Sequence, residues 1–363
     1  MKNIGKMTPT LVLVSSPFQY LCAVELLKSH NICGAVIVVD GSAHCINSVK
    51  QLSALYANFP PTQVINASLL KQGDLAERIA SYSWIPSEFA GVNFGAVLIG
   101  DIREQWMQDI ACSVSSREVV LVDDGAATLV LHDFVLKPAK FLLPVSMYQS
   151  NPARKEFALK IKQAQGLDLQ QKKVNIFSIY DFGSASVGLK NEFKALMSNF
   201  SADDTEEWHF IGSPVVEKGI ISEALYNKAV EDALVNCPVS GRPIYYVHRS
   251  EDVEIKLGYL HALGYEVRIN ELPYELHLVE HSLRPRWISG MHSTCLFNLK
   301  LMFGLDFPAR CYVLSSDELE RMKAINWASD HYSLYDHITS IYLRLDEFCI
   351  EARTFQLEMD PQA

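Results

Sequence analysis

The chain has 363 residues, 49% of them hydrophobic and 20% charged, with 18 Gly and 15 Pro. That length allows two domains of ordinary size, and the composition excludes wholesale disorder, collagen-like repetition and a disulfide-stapled miniprotein. Lys and Arg number 32 against 42 Asp and Glu, a formal charge of −10, which speaks against nucleic-acid binding by the whole protein but leaves room for a local basic site facing an anionic substrate.

Eight cysteines are scattered without any C-x-x-C, a pattern that fits a reducing compartment better than a disulfide framework. The first apolar run, Leu11 to Val14, stops at Ser15-Ser16-Pro17 and is too short for the core of a signal peptide. No run approaches the roughly 20 apolar residues that a membrane span requires. The expectation is a cytoplasmic protein, associated with a membrane surface at most peripherally.

Leu11–Val14 is aliphatic without polar alternation, as in a parallel strand buried on both faces. Ser16 and Pro17 then read as an N-cap and a first helical residue, opening a helix over 19–30. A strand over 35–39, a helix over 46–57, and strands over 63–65, 96–99 and 119–122 follow. Strands alternating with helices and ending in polar or glycine turns predict a doubly wound α/β sheet, with the groups after Val14, Ile99 and Val122 converging on one site. Residues 150–175 and 183–207 are polar and lysine-rich, so the domain change is placed ahead of Phe210-Ile211-Gly212. A second alternation follows: helix 219–235, strand 243–247, helix 252–263, strand 266–269, helix 273–282, strand 286–289, helix 293–303 and strand 311–314. The architecture read from this is two α/β domains, 1–205 and 206–331, facing a central cleft. A helical tail, 332–363, packs back across the first domain.

Asp123-Asp124-Gly125 closes a Val/Leu strand. Two adjacent carboxylates there can expose one as a base while the other orients the loop; the plain alternative is a solvated Asp-Gly turn. His248-Arg249 follows the apolar strand of the second domain, with Ser250 read as the cap of the next helix. Imidazole, guanidinium and a helix start together suit a phosphate. Ser289-Gly290-Met291-His292-Ser293-Thr294 lies between a strand and a helix, either as an anion cradle or as simple N-capping by Ser293 or Thr294. His277-Leu278-Val279-Glu280-His281 matches the zinc motif H-x-x-E-H, yet Pro273 and Pro285 confine its helix and no third ligand is evident. Gly183 to Gly188 imitates a P-loop but has Leu189 at the lysine position. His30, His44, His132, His261 and His331 read as surface or satisfied core residues.

Together, Asp123-Asp124-Gly125, His248-Arg249 and Ser289 with Ser293-Thr294 resemble, in order and spacing, the motifs of bacterial sialyltransferases and polysialyltransferases, which use CMP-activated nonulosonic acids. Ser15-Ser16-Pro17-Phe18-Gln19 is similar to that group's amino-terminal segment, and Phe210-Ile211-Gly212-Ser213-Pro214 to the entry of its second domain. The resemblance implies a GT-B type α/β fold and an inverting, metal-independent transfer without a cofactor, from a CMP-sugar to a glycan acceptor such as capsule or lipooligosaccharide. It makes Asp124 the base beside Asp123, and sets His248, with Arg249, against the donor phosphate. Ser289, Ser293 and Thr294 help to hold that phosphate, and Glu275 of Pro273-Tyr274-Glu275 faces the ribose. Ser16, Pro17, Gln19 and Gly125 would line the site. The family histidine is commonly followed by proline; Arg249 stands here instead, which leaves sialic, pseudaminic and legionaminic acid all open as the sugar. Two other classes compete: a zinc hydrolase built on His277, Glu280 and His281, and a non-catalytic nucleotide- or glycan-binding protein using the same pockets.

Overall fold

The structure is a computed structural model that describes residues 8–43, 45–70, 72–146, 151–183, 188–201, 203–325 and 331–355. The chain divides into two compact units, Met1–Ala195 with Ala328–Tyr332, and Leu196–Trp327 with Ser333–Ala363.

The first unit is built on the strands β1 (Thr10–Val14), β2 (Val36–Asp40), β3 (Gln63–Asn66), β4 (Asn93–Ile99), β5 (Ser115–Val122), β6 (Leu142–Leu143), β7 (Lys172–Ser178) and β8 (Gly188–Lys190). Their order, β3-β2-β1-β4-β5-β7-β6 with β8 beside β7, places six parallel strands in the Rossmann sequence before the antiparallel β6 closes the edge. Every residue of β1 is buried, as are the last six of β4. This is why these strands read as unbroken aliphatic runs: helices cover both faces. The helices are α1 (Pro17–Ser29), α2 (Ile46–Asn58), α3 (Leu75–Ser83), α4 (Ile85–Glu88), α5 (Gln105–Ser113), α6 (Ala127–Val130) and α7 (Pro152–Ala164). A π-helical segment, Leu131–Leu136, continues α6. α1 begins as its sequence predicts, with Pro17 in its first turn and the Ser16 side chain accepting from Gln19 N.

The second unit pairs a short ladder, β9 (Asp203–Asp204) with β13 (Leu283–Arg284), and a sheet of β10 (Glu207–Ile211), β11 (Arg242–Tyr246), β12 (Glu266–Arg268), β14 (Trp287–Gly290), β15 (Ala309–Leu314) and β16 (Glu351–Phe355). The order β12-β11-β10-β14-β15-β16 is parallel throughout and repeats the Rossmann pattern. Helices α8 (Glu223–Val235), α9 (Val253–Ala262), α10 (Tyr274–Glu280), α11 (Thr294–Phe303), α12 (Ser316–Met322) and α13 (Leu334–Tyr342) connect and follow these strands. An aromatic-rich core containing Trp208, Phe210, Tyr226, Tyr245, Tyr265 and Tyr312 holds them. The chain is thus α/β with two Rossmann-like parallel sheets, the make-up of the GT-B class. No helix among the described residues is long and apolar enough to cross a membrane.

Three features depart from the sequence reading. The polar tract around 172 contains β7, a central strand pairing with β5 from Val119↔Val174 to Val122↔Phe177. The change of unit falls at Ala195/Leu196 instead of 205/206, because β9 pairs with a strand of the second unit. Of the tail from Tyr332, only Tyr332 clusters with the first unit. Leu334 and Ile338 of α13 join the second unit's core, and Glu351–Phe355 is not helical but the sixth strand of the second sheet.

Candidate functional site

In the first sheet the chain turns back at β1, so the switch point lies between the carboxyl ends of β1 and β4, where open α/β sheets bind ligands. The polar groups after Val14, Ile99 and Val122 converge there, as expected. The Asp124 carboxylate, with 17% of its side chain exposed, accepts from Gln19 Nε2 at 2.8 Å and from Arg103 at 2.5 Å. Arg103 also clamps Asp101, its Nε lying 2.9 Å from both carboxylate oxygens. One guanidinium therefore ties the end of β4 to the end of β5. Ser15 N donates to Gln19 Oε1 at 2.8 Å, which fixes the amide so that its NH₂ points at Asp124. Gly100 makes room for this, since an added Cβ would fall on the Gln19 amide. The side chain of Tyr332, itself buried, hydrogen-bonds with Arg103.

Asp123 is not available to substrate. Its side chain is 1% exposed and its Oδ2 accepts from Ile179 N at 2.7 Å. Burial pushes its carboxyl up to about 7, with the neighbouring Asp124 charge adding to the shift. The two carboxylates thus divide as the motif suggested, one buried and fixing the loop, the other at the surface. Gly125 has φ +68, a left-handed turn that favours glycine. Gly125 shapes the turn, while Ser16 and Pro17 are used up in starting α1, so of the predicted lining residues only Gln19 touches Asp124.

The second sheet has its switch point between β10 and β14. His248, in the loop after β11, accepts a hydrogen bond from Ser250 N on its Nδ1 at 3.1 Å. A ring nitrogen that accepts carries no proton, so Nε2–H is left as the donor. Burial, helped by Arg249, Lys218 and Lys256, lowers the pKa of His248 to about 3, and the ring stays neutral at ordinary pH. The loop is anchored by Glu251, whose Oε2 accepts from His248 N at 2.7 Å and whose Oε1 accepts from Tyr245 and Lys256, each at 2.7 Å. An added Cβ at Gly212 would fall on that carboxylate. Ser250 does not cap the next helix: α9 starts at Val253 with Asp252 as its N-cap.

Ser289 is 1% exposed and belongs to β14, its hydroxyl buried without a partner among the described residues. Ser293 is the N-cap of α11 but makes no side-chain capping bond, so the simple capping reading does not account for it. His292 turns the chain through φ 49 between them. Glu275, 3% exposed, accepts from Asn298 Nδ2 at 2.6 Å and pushes the Cys295 thiol upward together with burial. Glu275 thereby joins α10 to the start of α11, next to the serine turn. The Cys295 thiol also feels the Arg249 charge and a hydrogen bond with Ser293, so Arg249, Glu275 and Ser293 all act on the start of α11.

His277 and His281 lie 4.4 Å apart ring to ring, and His281 Nδ1 bonds the His277 carbonyl at 2.9 Å. Among the described residues no group of three His, Cys, Asp or Glu side chains could hold a metal. The P-loop imitation lies mostly outside the described residues, as does His44. His132 is a satisfied core residue, stacked on Phe182 with centroids 4.0 Å apart. Sequence reasoning included the groups after Ile99, among them Asp101, but gave no role to Arg103, Tyr332 or Glu251. Asp101-x-Arg103 directly after the β4 strand end was the one available signal.

No protein-family model and no curated protein matches the chain. Among similar solved structures, MurG of Acinetobacter baumannii is 8% identical, with 98% of this chain and 88% of that one covered at a TM-score of 0.45. A sialyltransferase of Photobacterium damsela is 10% identical, with 96% and 82% covered at 0.46. UDP-GlcNAc 2-epimerase of Methanocaldococcus jannaschii is 10% identical, with 95% and 100% covered at 0.45. At such identities the likeness concerns the layout of the chain and leaves substrate and reaction open.

Proposed function

We propose that the chain is an inverting glycosyltransferase that moves a nonulosonic acid from a CMP-sugar to a glycan acceptor. The observation that carries this reading is Asp124, a carboxylate at the switch point of the first sheet, aimed by Gln19 and Arg103 and still reachable. An ionised carboxylate has about four lone-pair directions. Gln19 and Arg103 occupy two of them, and in the proposed reaction the carboxylate accepts the acceptor's hydroxyl proton. As that O–H bond breaks, the oxygen attacks the anomeric carbon, the bond from that carbon to the donor phosphate breaks on the far side, and CMP leaves with the electron pair. The neutral His248 Nε2–H and Arg249 donate to the departing phosphate, the serine turn completes the cradle, and Glu275 bonds the ribose. The CMP and nonulosonic-acid parts rest on the order of the three motifs.

Asp124→Asn keeps the shape but removes the base, and its amide oxygen can still accept from only one of Gln19 and Arg103. Transfer from a CMP-sugar, followed by CMP release, should fall by about 10²–10⁴-fold, with CMP affinity unchanged in titration calorimetry. A non-catalytic binding protein is the second reading, favoured by the engagement of both Asp124 oxygens; it predicts CMP binding with no donor consumed by wild type. Wild-type turnover in Asp124→Asn, or tighter binding of UDP than of CMP, would remove the proposal.

A further inference from the structure

A second site lies within the first unit, away from the residues assigned above. Helix α3 turns Leu75, Arg78, Ile79 and Tyr82 to one face, and α7 turns Lys155, Ala158, Leu159 and Lys162 to one face. Both sets follow the i, i+3, i+4, i+7 spacing by which paired helices ordinarily fill a core. Here the two stripes, with the start of α5, instead surround a cavity of about 320 Å³, at the lower end of ordinary small-molecule sites. From Lys155 to Lys162 the wall runs two helical turns, roughly 10 Å.

The cavity's polar groups are unbalanced. Trp106 forms part of the wall, is 4% exposed, and its Nε1–H is buried without an acceptor among the described residues. A buried donor left unpaired costs about 1–3 kcal/mol. The indole cannot retreat toward β2, because it already packs against Gly41. Lys162 is spent on the buried Asp109, 2.8 Å away, whose other oxygen accepts from Tyr82 at 2.6 Å. Arg78 and Lys155 have no ionic partner among the described residues, and Glu104 is the one carboxylate of the wall. In a chain with a net charge of −10, this is a locally cationic chamber that mixes apolar side chains with Ser81, Gln105 and Ser146, and one of its wall residues carries a buried donor without an acceptor among the described residues.

The geometry points to a binding site for a small amphipathic anion: an apolar body of about two helical turns' length that ends in a carboxylate or phosphate. The apolar body lies between Ile79, Ala158 and Leu159, the anionic end pairs with Arg78 and Lys155, and an oxygen of the ligand accepts from Trp106. The site is independent of the transfer reaction proposed above.

Three probes of equal chain length test it: octanoate, octyl phosphate and 1-octanol, each titrated into the full chain below its micelle concentration. The Trp106 indole ¹H–¹⁵N signal, identified by its loss in Trp106→Phe, is the readout. At least one anion should bind with one-to-one stoichiometry and shift that signal, and octanol should bind about tenfold more weakly or less. Whichever anion binds tighter identifies the carboxylate or phosphate source. Arg78→Met and Lys155→Met should each weaken the anion by about three- to tenfold without affecting octanol, and Ala158→Phe should abolish binding. If Ala158→Phe does not fold, Ala158→Met serves the same purpose. A Trp106 signal unmoved by both anions, equal binding of octanol, or undiminished binding in the filled variant would each overturn the assignment.

Discussion

Asp123 and Asp124 are neighbours with opposite surroundings, and the buried one has a measurable signature. Its pKa rises from 3.8 to about 7 on folding. Between those values the unfolded chain has released a proton that the native chain keeps, so the contribution of Asp123 to stability is greatest below pH ~4 and is lost as pH rises toward ~7. The loss is at most about 4 kcal/mol. Asp123→Asn, which mimics the protonated form, should flatten that part of the profile; urea unfolding of both proteins at about pH 4.5 and about pH 7.5 compares the slopes. The carboxylate pair at the strand end was legible in the sequence, while the choice of Asp124 over Asp123 rested on the family resemblance alone. Arg103 was not legible. Its role depends on β4 and β5 lying side by side, a tertiary fact that no local pattern encodes.

The two glycines that close strands, Gly100 and Gly212, each give way to one side chain. Gly100→Ala should push Gln19 off Asp124, costing about 1–3 kcal/mol and lowering transfer. Adding Gln19→Ala should restore stability, measured as the unfolding midpoint, while leaving transfer low; recovery of both would show that Gln19 does not position the carboxylate. In the second unit, Glu275 links α10 to α11 and is also the proposed ribose ligand. Glu275→Gln keeps an oxygen for Asn298, whereas Glu275→Ala removes it. If the ribose role holds, both variants should bind CMP more weakly by about 1.5–3 kcal/mol, but only the alanine variant should lose thermal stability. The aliphatic strands were readable because burial on both faces leaves no alternation. β7, in contrast, spells Lys-Lys-Val-Asn-Ile-Phe-Ser and looked like linker. β16 was hidden by its charges, since Glu351 meets Arg310 at 2.9 Å and Arg353 meets Asp232 at 2.5 Å. Pairing with oppositely charged neighbours makes an ionic segment acceptable as a strand, and the pairing is visible only after folding.

Across the whole molecule, two sheets that share one order over six parallel strands were anticipated in kind but not in extent, because the sixth of those strands in each fell in a tract read as polar or helical. The last strand is essential to the second sheet. Ending the chain after Leu345 removes Phe348 and Phe355, both 6% exposed, and uncovers the flank of β15, which is buried throughout. Burial of two aromatic rings is worth about 3–5 kcal/mol each, comparable to the total stability of an ordinary domain. The shortened protein should be insoluble or rapidly cleaved by protease, measured as soluble yield and digestion rate beside the full chain.

The chain leaves the first unit after Ala195 and comes back to it over Ala328–Tyr332. For a polypeptide emerging from the ribosome, that detour takes on the order of ten seconds. Throughout it, the Arg103 guanidinium lacks the Tyr332 side chain that later hydrogen-bonds with it, and Phe134 lacks the partner whose centroid ends 6.4 Å away. His331, the residue before, supplies a ring nitrogen to the Ser146 carbonyl at 3.0 Å. Synthesis therefore completes the amino-terminal unit only after most of the carboxyl-terminal unit has been made, and a nascent chain stalled anywhere between those points carries an unfinished Asp124 site.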